Sequence, residues 1–563
     1  MTYFRWCIAL TLLWAGALPA QSPSSLGNPT QVKKETCVIS GIVVRREDKA
    51  PLKGATVQLE NREDPDHTIA AKTSADGRFE LHNVPAGQYR LKVRRNGYVE
   101  FEYGQKKSSD PGATFTLRPG QTMSDLVLPL SRAAVIAGRV LDEDGEPMAG
   151  ATLLALKQVY SEGQKKLDVA AESSSDDRGE YRLFGLKPGR YFLSAQPQIW
   201  GRTTGDLEFS GADKQPGERN YAKVYYPGVS NPGKATSISV KEGEEISAID
   251  ILMKEVAVFR IRGRVVNLIS KRGNRETNVQ VMGRGQEVAW DFVGGKPTIK
   301  ADGSFEMADI LPGEYTVSAF FFDEGGKIYA AEEDVDVGNA DVNGVTITIG
   351  PGVTIPGRIS WEGKPSWEGD DATVTAEPIQ SGLFWGGRSH VDSEGQFSLK
   401  DVPQGAFRIR VAGLSKDCYI KEIRQGESVL ADDVLRVTRG SASPLEITVS
   451  SRGGRVEGVV TNEANLPTVG VWVVAVPEET KRKMQRFFKS FTTDQYGRFN
   501  LRGMAPGRYT LFAWEGIEQD AWEDGDFLKG FDGKGVAVEV KEGAAQALEL
   551  NLIQVKDSST RTD

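Results

Sequence analysis

After Gly77 the chain alternates: Phe79 and Leu81 are apolar, while Arg78, Glu80 and His82 are polar. Period two predicts a strand with one buried face. Beyond Val84-Pro85-Ala86-Gly87 the alternation resumes, with Tyr89, Leu91 and Val93 apolar and Arg90, Lys92 and Arg94 polar. It returns as Tyr315, Val317 and Ala319, and as Phe407, Ile409 and Val411. The predicted unit is two half-buried strands. Asp76-Gly77 ahead of the first supplies the positive φ of a tight hairpin turn, and the Pro-x-Gly element makes the turn between them.

This unit recurs five times. Its two glycines are ten residues apart in every copy: 77 and 87, 179 and 189, 303 and 313, 395 and 405, 497 and 507. A second phrase precedes each copy by 36 to 41 residues, at Gly41-Ile42-Val43, Gly138-Arg139-Val140, Gly263-Arg264-Val265, Gly357-Arg358-Ile359 and Gly458-Val459-Val460. A third, Gly54-Ala55-Thr56-Val57, is matched at Gly150-Ala151-Thr152-Leu153 and Gly470-Val471-Trp472-Val473. Many short strands with regular turn signals predict β-sandwiches. The segment Glu478 to Phe488 reads as a helical or irregular loop.

These phrases resemble the carboxypeptidase regulatory-like domain, a transthyretin-like β-sandwich related in shape to the collagen-adhesin B-type repeat. The resemblance implies an all-β chain of about five tandem transthyretin-like or immunoglobulin-like sandwiches. The expected layout is a signal peptide at 1–20, a linker at 21–35, sandwiches at 36–132, 133–258, 259–351, 352–453 and 454–557, and a tail at 558–563. The second carries a long insertion around Gln196 to Ala235. B-type domains carry Lys–Asn isopeptide bonds; the first strands here hold no lysine in register, so none is expected. The motif specifies a fold rather than an activity.

Composition narrows the function. The 563 residues include 62 glycines, which fits many turns, and their formal net charge is −8 without a basic block. Nucleic acid is therefore not an expected partner. Arg5, the apolar run from Trp6 to Leu18 and Ala20 before Gln21 form the three regions of a signal peptide. The chain is expected to be exported, as a secreted, periplasmic or cell-surface protein with no transmembrane segment after signal removal. Of three cysteines, Cys37 and Cys418 remain after cleavage, in different repeats. No disulfide framework is expected, so each domain must rest on its own apolar core.

Catalytic chemistry is not indicated. His67, His82 and His390 have no second histidine or cysteine at ligand spacing, so no metal and no cofactor are expected. The sequence holds no nucleophile elbow, P-loop or dinucleotide fingerprint. The repeated Tyr89, Tyr191, Tyr315 and Tyr509 are expected to pack inward with the hydroxyl tied to nearby backbone. Aromatics out of phase with the core are the candidate binding residues: Trp200, Tyr225 and Tyr226 in the insertion, Trp385 in a glycine-rich loop, and Phe512, Trp514 and Trp522 in the fifth copy. Such rings can stack on sugars, anchor a protein partner or fill joints between domains. The expected function is a non-catalytic exported protein that binds carbohydrate at the cell envelope or exterior. A structural spacer or protein-interaction, adhesin-like stalk, whose partner would be another envelope or extracellular protein, is one alternative, and an unrecognised hydrolase is the other.

Overall fold

The structure is a computed structural model that describes residues 36–555, apart from 63–67, 109, 198–218, 271–276, 285–296, 326, 368–371, 380–386, 439 and 441. The expected signal peptide, the linker and the tail lie outside the described residues, as do Trp200, Trp385 and His67.

The repeats share one topology. In the first, strand Cys37–Arg45 pairs antiparallel with Arg78–Val84 and parallel with Thr122–Leu130. The opposite sheet pairs Thr56–Asn61 with Thr68–Lys72 and with Gly87–Arg94. The same first-strand arrangement recurs at Ala134–Leu141, Phe259–Asn267, Val353–Glu362 and Gly454–Thr461. Each pair of sheets encloses its own apolar cluster, with members such as Ile39 and Leu91 in the first repeat and Val456 and Leu511 in the fifth, all completely buried.

The two phrase strands lie in opposite sheets, so the Pro-x-Gly turn is an inter-sheet corner. The Asp-Gly turn also joins the two sheets in the first repeat, and only in the third does it close a hairpin, between Thr298–Ile299 and Ser304–Ile310. Its φ is left-handed as expected, at +75° for Gly77, +71° for Gly179, +86° for Gly303, +80° for Gly395 and +70° for Gly497. The residue before the turn often locks it: Asp176, Asp392 and Asp494 each accept two backbone N–H bonds through one carboxylate oxygen.

The first-strand glycines have a different cause. A Cβ on Gly41, Gly138, Gly263 or Gly458 would overlap a carbonyl oxygen of the chain beside it, from Leu126, Ile249, Val345 and Leu548 respectively. On Gly357 it would strike the Phe397 ring. The glycine lets the parallel neighbour and the core aromatic approach the first strand together.

The four tyrosines do what the pattern predicts. Tyr89 donates its hydroxyl to the Pro85 carbonyl at 2.8 Å, Tyr191 to Lys187 at 2.7 Å, Tyr315 to Leu311 at 2.8 Å and Tyr509 to Ala505 at 3.0 Å. Each ring is buried in the core and each hydroxyl ties the corner four residues back. In the fourth repeat Phe407 fills the same place with no hydroxyl to offer.

Candidate functional site

The out-of-phase aromatics of the fifth repeat face away from its core, as the alternation predicts, but they are not exposed. Trp514 is fully buried, with Phe512 and Trp522 at 7% and 2% exposure. A second layer on this sheet covers them. The excursion after Glu515 folds over it through the helix Gly525–Lys529, whose first N–H groups are capped by Asp524. Trp514 stacks on Phe512 with centroids 4.5 Å apart and meets Phe527 and Phe531 edge-on at 5.7 and 5.4 Å. Trp522 packs on Trp472 at 5.0 Å. A signal for this cover was present in the sequence. Strand Trp472–Pro477 is apolar at every position and almost wholly buried, as strands covered on both faces are.

Tyr225 is likewise buried, packed with Leu156 and Leu167, and Tyr226 is half-buried. The described portion of the insertion therefore covers its own sandwich, and strand Arg219–Tyr221 pairs with Glu255–Ala257. Four of the five described candidates are buried, and Tyr226 alone keeps part of its surface exposed. His82 and His390 are exposed, as expected. Cys37 and Cys418 are buried free thiols.

The residues that do converge come from the second, fourth and fifth repeats. The hairpin of Thr152–Ser161 and Gln164–Ser174 reaches from the second repeat to the fifth. Lys157 pairs with Glu518 at 2.8 Å, and Tyr160 meets Phe527 edge-on. At its tip Glu162 accepts from Arg408 of the fourth repeat at 2.6 Å. Gln485 accepts from Arg408 and Arg410 at 3.0 and 2.8 Å and donates to Glu523 at 2.8 Å. The loop Glu478 to Phe488 forms two single 3-10 turns, Glu479–Lys481 and Gln485–Phe487, rather than a longer helix. Sequence reasoning passed over it as a functional element, yet it supplies the joint's central amide.

The joint encloses a cleft of about 370 Å³ bordered by Tyr160, Glu162, Asp520 and Glu523. Burial pushes the carboxyls of Asp520 and Glu523 above the usual carboxylate range. Among the described residues no group of three or more potential metal ligands is found. The network consists of charge-assisted bonds between repeats, which fixes their orientation.

The fifth repeat also contacts the first. Thr114 bridges Asp494 in parallel, its hydroxyl lies 3.3 Å from that of Thr492, and Lys106 pairs with Glu515. Arg62 lies over the Phe491 ring. Neighbouring repeats are tied as well, by Arg46–Glu242 at 3.4 Å, Asn220–Asp309 at 2.7 Å, Lys327–Asp401 and Arg502–Asp417.

Residues 38–131 and 135–213 match the model of the carboxypeptidase regulatory-like domain. A curated protein, the protocatechuate 3,4-dioxygenase beta chain of Burkholderia cepacia, is 31% identical over 113 residues, covering 18% of this chain and 47% of that one. The chain thus spans about half the length of this curated relative. Among solved structures, the minor pilin GBS52 of Streptococcus agalactiae is 13% identical, with 39% of this chain and 97% of that one covered and a TM-score of 0.21. BcpA, the major pilin subunit of Bacillus cereus, is 12% identical, with 56% and 99% covered and a TM-score of 0.14. The TIE protein of Bacillus anthracis is 16% identical, with 56% and 51% covered and a TM-score of 0.16. No helix among the described residues is long and apolar enough to cross a membrane.

Proposed function

We propose that the chain is an exported, non-catalytic scaffold of the cell envelope or exterior, divided at the boundaries given above, whose repeats fold back on one another. The observation that carries this reading is the commitment of the fifth repeat to three others. It touches the fourth beside it through Gln485 and Arg502, reaches the first through the turn that carries Gln495, and reaches the second through its cover layer. A straight stalk has no such contacts between repeats distant in sequence. Its exposed surface is then available to an envelope or extracellular protein partner. Export rests on the three regions of residues 1–20.

A carbohydrate ligand would have to be met by Tyr226 with Trp200 and Trp385, because Tyr225, Phe512, Trp514 and Trp522 are taken up by internal packing. That burial favours the scaffold. Small-angle scattering of the chain lacking residues 1–20 tests the arrangement. A compact body of this length has a radius of gyration of about 24 Å. A value modestly above it is expected, and the profile of an extended rod overturns the folded-back scaffold. A glycan array probes the sugar reading in parallel, and binding lost on substituting Trp200 or Trp385 would establish it.

A further inference from the structure

The repeats treat one sheet edge in different ways. In each, a late strand runs parallel to the first strand, and counting from the first-strand glycine aligns 126–130, 249–253, 345–349, 445–449 and 548–552. In the fourth repeat the far edge of this strand is taken. Tyr419–Gln425 pairs antiparallel with Leu445–Ser450 and sets Ile423 opposite Ile447, both buried. Among the described residues the other four sheets end at this strand. An open edge presents a row of unpaired N–H and C=O groups, which proteins guard with charge or proline. The first repeat places Pro129 in the stretch, the second Asp250 and the fifth Glu549. The third reads Val345-Thr346-Ile347-Thr348-Ile349, with neither charge nor proline and a β-branched side chain at every position. That is the composition of a strand that pairs readily.

Leu268, at the end of this edge, points the same way. Its side chain is 64% exposed. The residues at the same distance from the glycine in the other copies are Arg46, Glu143, Glu362 and Glu463, so the third repeat alone carries an apolar residue there. The direction of the open groups is fixed as well. The Leu268 N–H donates to the Ile349 carbonyl at 2.9 Å, which turns the peptide groups of Ile349 toward the first strand. Those of Thr346 and Thr348, at alternate positions, therefore face the open edge. The Arg46 N–H donates to the Leu130 carbonyl in the same way, so the nitrogen of Pro129 faces outward and its missing hydrogen costs the ladder nothing. In the fourth repeat the corresponding Glu446 and Thr448 are the residues opposite Arg424 and Glu422 of the added strand.

We propose that this edge is a contact between two copies of the chain, in which Val342–Ile349 pairs antiparallel with itself about a two-fold axis at Ile347. In that register Thr346 lies opposite Thr348 of the second copy, and the two exchange both N–H···O bonds. Their side chains meet as cross-strand threonine pairs, and Ile347 meets its own counterpart on the core side. The two surfaces are identical, as a two-fold contact requires. The stretch is complementary to itself because it is uncharged, whereas the fifth repeat's edge paired in this way would bring two Glu549 carboxylates to one seam. Leu268 is covered at each end. The pairing is independent of the contacts that join the fifth repeat to the first and second.

Sedimentation velocity of the chain lacking residues 1–20, over a concentration series, tests this. So short a seam makes a small interface, so a weak dimer that grows with concentration is expected. Thr348→Pro removes an outward N–H from each copy and is expected to weaken the dimer about tenfold or more, the loss of two hydrogen bonds. Thr346→Glu and Leu268→Glu give the third repeat the guards of its neighbours and should also shift the chain to monomer. All three should keep the parent's thermal midpoint, because Pro129, Glu549 and Glu463 hold the same places in their own repeats. A monomer at every concentration overturns the proposal, as does a dimer indifferent to all three substitutions. A monomer that binds a synthetic peptide of the Tyr419–Gln425 sequence, and loses it in Thr348→Pro, overturns the second copy as occupant and gives the edge to a strand of another protein.

Discussion

The side-chain amide of Gln495 accepts from the Thr116 N–H at 3.0 Å and donates to the Thr116 carbonyl at 2.6 Å, so that one glutamine pairs with a backbone 379 positions away. It extends the edge of the first repeat as a strand would, using a side chain in place of a backbone. The residue is held in place because it lies within the turn that ends at Gly497 of the fifth repeat, where the Asp494 carboxylate fixes the loop.

Gln495→Ala is therefore expected to loosen this contact without disturbing either sandwich. Two hydrogen bonds net about 1–3 kcal/mol together. The scattering profile should broaden, while the unfolding transitions of the individual repeats keep their midpoints. A variant with an unchanged profile would show that Lys106–Glu515 and the Thr114–Thr492 contact hold the two repeats together unaided.

The tyrosine tethers predict alkaline sensitivity. Burial pushes the Tyr191 phenol from 10.0 up to about 12 and raises those of Tyr181 and Tyr509 as well. The folded chain then keeps protons that the unfolded chain releases above about pH 10. The stability so contributed is fully present below pH 10 and is lost as pH rises toward 12. Denaturant midpoints between pH 8 and 12 should fall accordingly, and Tyr191→Phe should flatten its share. At neutral pH that substitution is expected to cost about 1 kcal/mol, the worth of one hydroxyl bond to the Lys187 carbonyl. The phenylalanine already present at position 407 shows that the ring alone is accepted at this corner.

Two glycines separate the two reasons for the residue. At Gly458 a Cβ would overlap the Leu548 carbonyl oxygen and press on the Phe499 ring, so Gly458→Ala must push the paired strands apart. About 3 kcal/mol or more is expected, at the upper end for overpacking. At Gly145 a Cβ meets nothing within 4 Å, but φ is +84°. Gly145→Ala should cost only about 1–2 kcal/mol, for the left-handed backbone. Comparable losses at both positions would contradict this assignment of causes.

How far the sequence was legible follows from which interactions are local. Turn glycines, alternating strands and tethered tyrosines act within a few residues, and Gly77, Leu91 and Tyr89 are where the pattern places them. The assignment of the two phrase strands to opposite sheets was not legible, because alternation gives each strand a buried face without saying which sheet it joins. The contacts of Gln495, Lys157 and Gln485 were not legible either. They link positions tens to hundreds of residues apart, and nothing in their own segments distinguishes them from solvated polar residues. The cover over Trp514 lay between these cases. The phase was readable from Tyr509, Leu511 and Ala513, whereas the second layer needed the unbroken apolar run of Trp472–Pro477 to be weighed with it.

Trp514 separates the two uses of an aromatic most directly. An exposed ring that stacks on a sugar adds little to folding, so its removal would abolish binding and leave stability intact. A fully buried tryptophan wedged against Phe512, Phe527 and Phe531 leaves a cavity when truncated. Trp514→Ala is expected to destabilise the fifth repeat by about 3–5 kcal/mol. The excursion that carries Trp522 and the helix Gly525–Lys529 should detach with it, and the Lys157–Glu518 and Tyr160–Phe527 contacts should follow. Limited proteolysis within 516–535, together with the denaturant midpoint, reads both effects. Unchanged stability with altered ligand binding would restore Trp514 as a recognition residue. A lower midpoint with a newly cleavable excursion places it in the packing that holds the fifth repeat against the second.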